Sequence, residues 1–136
     1  MKVRDAMTRD PRTVDSAVTV VEVARLMRDE DVGLIPIVES DRVVGAVTDR
    51  DIAVRVVAEG RSAEDMKVAD VASRELVTVD PEQDLDEALR LMAKHQVRRL
   101  PVVEEDGKLI GIVAQADIAM HADPSQTGEV LEKISN

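Results

Sequence analysis

The chain has 136 residues, 28 of them acidic and 18 basic, for a net charge of −10. This length suits one compact domain or two very small ones sharing a core. The absence of cysteine excludes disulfides, thiolate zinc sites and cysteine nucleophiles, and the absence of Phe, Tyr and Trp leaves Val, Ile, Leu, Met and Ala to build the core. The acidic excess argues against a general binder of nucleic acid or of anionic membrane, because phosphates are held mainly by surplus Lys and Arg.

The expected elements follow in chain order. A short apolar piece, 12–14, leads through Asp15 and Ser16 into a helix over 19–31, with Val20, Val23, Ala24 and Met27 at helical spacing. Thr19-x-x-Glu22 has the capping-box pattern at its start. Strands are expected at 34–39 and 42–48 around a Ser40-Asp41 turn, then a helix over 49–59 ended by Gly60. After a polar linker at 61–66 the second set is 76–79, 84–96, 99–104, 108–114 and 115–121, and a tail occupies 123–136. No run approaches the roughly 20 apolar residues of a membrane span. The charged start Met1-Lys2-Val3-Arg4-Asp5 lacks the apolar stretch of a signal peptide, so a cytoplasmic protein is expected.

The two sets are copies. A shift of 65 residues places Met1-Lys2-Val3 on Met66-Lys67-Val68, Thr13-Val14-Asp15 on Thr78-Val79-Asp80, Arg25-Leu26-Met27 on Arg90-Leu91-Met92 and Pro36 on Pro101. One added residue near Gly107 then brings Gly45, Asp51 and Ile52 onto Gly111, Asp117 and Ile118. The expected fold is α+β: two tandem β-α-β-β-α repeats, 1–60 and 67–122, packed sheet to sheet about a pseudo-twofold axis. A repeat of this size is marginal alone, and the junction of two such halves is a common place for a small-molecule site.

The doubled pattern resembles the cystathionine-β-synthase (CBS) domain family, in particular the stand-alone tandem pair called a Bateman module. It is carried by Leu-Ile-Pro-Ile-Val-Glu (34–39) with Gly-Ala-Val-Thr-Asp-Arg-Asp-Ile (45–52), and by Val-Arg-Arg-Leu-Pro-Val-Val-Glu (97–104) with Gly-Ile-Val-Ala-Gln-Ala-Asp-Ile (111–118). The resemblance implies a regulatory, non-enzymatic module that binds AMP, ADP, ATP or S-adenosylmethionine in the cleft between repeats. The other reading is a ligand-free protein-interaction or stress-associated structural module.

The family motif Gly-h-h-Thr/Ser-x-x-Asp is complete at Gly45, Thr48 and Asp51. There the resemblance implies that Asp51 holds the ribose hydroxyls and Thr48 reaches phosphate. Thr48-x-x-Asp51 also reads as an ordinary helix cap, and both roles can coexist. The second repeat keeps Gly111 and Asp117 but has Ala114 for the hydroxyl residue, and it carries Arg98-Arg99 where family members often place phosphate-binding basic residues. In an acidic chain that pair also reads as a solvated strand start. With no aromatic ring to stack on, an adenine would lie against aliphatic side chains, for which Val14, Ile35, Val79 and Leu100 are candidates.

His95 and His121 lack metal-ligand spacing, Gly107-Lys108 reads as a hairpin turn, and no nucleophile motif occurs, so neither a metal nor a required cofactor is expected. The resemblance and the apolar residues Ala53, Val54, Val57, Ile118 and Ala119 suggest a homodimer formed through helices. The regulated protein partner is not identified by the sequence.

Overall fold

The computed structural model, which describes residues 1–73 and 75–121, divides into two units. The 123–136 tail expected from the sequence lies outside the described residues. Unit 1 combines Met1–Pro11 with the chain from Val77 onward, and unit 2 is Arg12–Leu76. The sequence repeats and the compact units therefore divide the chain differently. Each unit takes in the leading segment of the repeat that supplies the other unit's bulk.

In unit 2, α2 (Val20–Glu30) starts at a closed capping box, with the Glu22 amide donating to Thr19 Oγ1 at 3.3 Å and the Thr19 amide to Glu22 Oε2 at 2.9 Å. It buries Val20, Val23 and Met27 against β2 (Leu34–Glu39) and β3 (Arg42–Thr48), an antiparallel pair joined by Ser40 and Asp41. Both turn residues have positive φ (51° and 65°), the handedness a two-residue hairpin needs. After β3 comes α3 (Asp49–Ile52), and a π-helical turn at Ala53–Val57 continues it toward Gly60.

Unit 1 repeats this plan. Its α4 (Leu85–His95) buries Leu85, Ala88, Leu89 and Met92, and β4 (Arg99–Val103) pairs with β5 (Leu109–Ala114), which runs into α5 (Gln115–Ala119). Two short elements come from the chain start: α1 (Val3–Ala6) and β1 (Thr8–Arg9). Strand β1 pairs antiparallel with β5, giving the sheet order β1-β5-β4.

The mixed α and β class, with two helices and a hairpin in each repeat, is as the sequence requires. The leading strands differ from expectation. The 12–14 and 76–79 pieces reduce to single parallel bridges, Val14 to Ile37 and Val79 to Val102. In each case the valine amide donates to Pro36 or Pro101 and its carbonyl accepts from Val38 or Val103. One more parallel rung on the N-terminal side would need an N–H on Pro36 or Pro101, and proline has none.

Candidate functional site

The sequence motifs fall at the corner where the second hairpin strand turns into the following helix, once in each unit. In unit 2 the corner is Thr48–Asp51. Thr48 is extended (φ −112°, ψ 163°), so its hydroxyl points along the first helical turn and accepts from the Asp51 amide at 3.1 Å. Asp51 Oδ2 in return accepts from the Thr48 amide at 2.9 Å. The Asp49 amide donates to the Gly33 carbonyl at 3.0 Å and ties the corner to the start of β2. Each of the two side chains that match the motif in full thus accepts from the other residue's backbone amide. The capping role expected of them is present.

The unit 1 corner has the same backbone and different chemistry. Ala114 repeats the extended geometry (φ −113°, ψ 152°) without a hydroxyl, and no side chain caps α5. The Gln115 amide donates to the Arg98 carbonyl at 2.8 Å, the counterpart of the Asp49–Gly33 bond. Asp117 is half-buried, and among the described residues its carboxylate has no hydrogen-bond partner. Arg98 is exposed and Arg99 half-buried, and among the described residues neither guanidinium has an ion pair. Gln115 adds a feature that sequence reasoning missed: its Oε1 is shielded from solvent with no hydrogen-bond partner. The only hint was a neutral amide where the first repeat has Asp49.

The aliphatic candidates divide. Val14 is half-buried beside β2, whereas Ile35, Val79 and Leu100 are buried in their units' cores. The amides and carbonyls of Val14 and Val79 are already engaged in their parallel bridges. Of the named residues, Thr48, Asp51, Val14 and Ile35 belong to unit 2, and Arg98, Arg99, Asp117, Val79 and Leu100 to unit 1.

An open acidic depression of about 720 Å³ in unit 1 is lined by other residues, Asp80, Pro81, Glu82, Glu104, Glu105 and Asp106, and its charge does not suit a phosphate. Among the described residues no group of three or more His, Asp or Glu side chains is placed to hold a metal ion, and no helix is long and apolar enough to cross a membrane.

Comparison with known proteins agrees with this architecture. The chain is 43% identical over 135 residues to the CBS domain-containing protein YhcV of Bacillus subtilis, covering 98% of this chain and 95% of that one. It is 38% identical over 119 residues to Hypoxic response protein 1 of Mycobacterium tuberculosis, covering 87% and 82%. The crystal structure of Hypoxic Response Protein I with two coordinated zinc ions matches with a TM-score of 0.81 at 36% identity, over 90% of this chain and 100% of that one. The CBS domain pair of protein MJ0100, solved with 5′-methylthioadenosine and S-adenosyl-L-methionine, matches with a TM-score of 0.78 at 25% identity, over 88% and 94%. The CBS domain model matches residues 3–58 and again 68–123, and the chain belongs to the CBS domain family as two such domains in tandem.

Proposed function

We propose that this protein is a cytoplasmic regulatory module that senses an adenosine-containing ligand, AMP, ADP, ATP or S-adenosylmethionine, at its strand–helix corners. The observation that carries the reading is that, among the described residues, the Arg98 and Arg99 guanidiniums and the Asp117 carboxylate beside the unit 1 corner have no polar partner and Gln115 Oε1 is shielded without a donor. A shielded acceptor left without a donor costs about 1–3 kcal/mol, a cost that a ligand donor would remove. Two guanidiniums without carboxylate partners among the described residues suit a phosphate or another anionic group, which Arg takes in bidentate fashion. Asp117 offers two acceptor oxygens to adjacent ribose hydroxyls. The relative solved with S-adenosyl-L-methionine and 5′-methylthioadenosine supports this ligand class.

In this reading the unit 2 corner is the weaker site, because Asp51 already accepts from the Thr48 backbone and Thr48 already caps α3. Val14 supplies the aliphatic surface there, with Ile35 beneath it, and Val79 and Leu100 play the supporting part in unit 1. Catalysis has no place in the reading.

Calorimetric titration with the four ligands tests it. At least one should bind, and Asp117→Asn, Arg98→Ala and Arg99→Ala should each weaken that binding about tenfold or more. Asp51→Asn should weaken it less. Equal losses from all four variants would sink the assignment of the principal site to unit 1.

A second reading, a ligand-free interaction module, draws on the exposed Val54 (50%) and Val57 (71%) on the α3 side of unit 2. We assign these residues to self-association instead, which leaves the ligand reading in place.

A further inference from the structure

The two leading segments are near-copies of each other, Met1-Lys2-Val3-Arg4-Asp5 and Met66-Lys67-Val68-Ala69-Asp70. They seat alike. The Val3 amide donates to the Gln83 carbonyl at 2.8 Å, and the Val68 amide to the Val18 carbonyl at 2.8 Å. The Met1 carbonyl accepts from Leu85 at 3.1 Å, and the Met66 carbonyl from Val20 at 2.9 Å. The backbone of Lys2 forms an antiparallel β-bridge with that of Asp84 as Lys67 does with Thr19, and Thr8 faces Ile112 as Ser73 faces Ala46. Val3 and Val68 are both fully buried in the unit that receives them.

The covalent settings of these two segments differ. Residues 66–73 follow the turn at 61–65 of the same unit, whereas residues 1–9 are joined to unit 1 only by way of unit 2. The same seat in two settings means that recognition is local to segment and slot, and it runs largely through backbone groups. The link behind the first segment is short, and its Asp10 is held in the left-handed region at φ 51°, followed by Pro11. A short hinge under backbone strain favours release of the segment it holds into another copy of the same slot.

We propose that residues 1–9 are a transferable docking element and that the unit 1 slot also accepts them from a second copy of this chain. In the exchanged pair, β1 of each chain completes the β1-β5-β4 sheet of the other, one strand away from β4 and beside the strand that leads into the Ala114–Asp117 corner. The proposal stands apart from the ligand reading, and either can fail alone.

The chain has no cysteine, so introduced thiols report without background. Thr8 and Ile112 lie directly opposite on antiparallel strands, a spacing a disulfide can bridge. All chains carry Val57→Asp to suppress association through the apolar helix face. The double variant Thr8→Cys/Ile112→Cys should oxidise within one chain when dilute. Chains carrying Thr8→Cys alone, mixed with chains carrying Ile112→Cys alone at high concentration and passed through mild denaturant, should form the mixed disulfide. Its yield should exceed several-fold that of a control pairing Thr8→Cys with Asp41→Cys. A yield no higher than the control, or no intrachain bond in the dilute double variant, would overturn the proposal. A second measurement needs no thiols: Asp10→Gly relaxes the hinge and should lower the fraction of dimer trapped by concentrated refolding at least twofold, and an unchanged fraction would overturn it as well.

Discussion

Thr48 and Asp51 satisfy each other: each backbone amide donates to the other residue's side-chain oxygen, at 2.9 and 3.1 Å. At the matching corner Ala114 leaves Asp117 without that bond. Thr48→Ala should therefore destabilise the protein by about 1 kcal/mol in urea unfolding, the usual worth of an N-cap. Asp51→Asn keeps an acceptor oxygen and should cost less. Ala114→Thr should restore the missing cap and stabilise by a similar amount, read as a higher urea midpoint.

The two motif glycines should respond differently to the same change. A Cβ on Gly111 would lie 2.7 Å from the Thr8 carbonyl oxygen and 2.8 Å from Met7 Sδ, because the leading segment passes directly over it. Backbone cannot yield as a side-chain tip can. A Cβ on Gly45 would meet Ile37 at 3.6 Å and Ala72 at 4.0 Å, ordinary contacts. Gly111→Ala should cost about 1–3 kcal/mol as an overpacking change, and Gly45→Ala should be near neutral. Urea midpoints of the two variants, compared at fixed slope, check this.

The contrast between Gly111 and Gly45 also marks how far the sequence could be read. Helical spacing located α2 and α4, and the repeat aligned the hairpins, because these depend on local pattern. The packing of 1–9 and 66–73 was not legible: a repeat says that two segments are alike, not which unit each one joins. The shortening of the leading strands was legible in principle, since Pro36 and Pro101 stand where the parallel ladder needs an N–H. At the corners the Thr48-x-x-Asp51 spacing carried the cap that the fold shows, but nothing in the spacing told that Gln115 Oε1 is shielded without a donor.

The leading segment of unit 1 is held in part by Glu82, which accepts from Lys2 at 2.6 Å and pairs with Arg4 at 3.0 Å. The Lys2 hydrogen bond, with smaller help from Arg4 and Lys2 charge, holds the Glu82 carboxyl below the ordinary glutamate range. A carboxyl with a depressed folded-state pKa stabilises fully above its unfolded value and loses that contribution as pH falls through the folded value. The gap in urea midpoint between wild type and Glu82→Gln should thus be present at neutral pH, close in acid and shrink with added salt, since all three side chains are exposed. A gap that widens in acid would contradict the sign.

Val54 and Val57 present the largest apolar exposure beside α3. Sedimentation of the wild type should give a mass above that of a single 14.9 kDa chain, and Val57→Asp should shift it toward the monomer. A concentration-independent monomer in the wild type would remove the self-association assigned to this face.

The central claim is that the protein binds an adenosine-containing ligand. A chain without Phe, Tyr or Trp is nearly transparent in the near ultraviolet where purines absorb, so absorbance after equilibrium dialysis reads ligand alone. With AMP, ADP, ATP and S-adenosylmethionine dialysed in turn, at least one should accumulate on the protein side, to no more than two per chain, and the Arg98→Ala/Arg99→Ala variant should lose most of that excess. Equal absorbance on both sides of the membrane for all four would contradict the account.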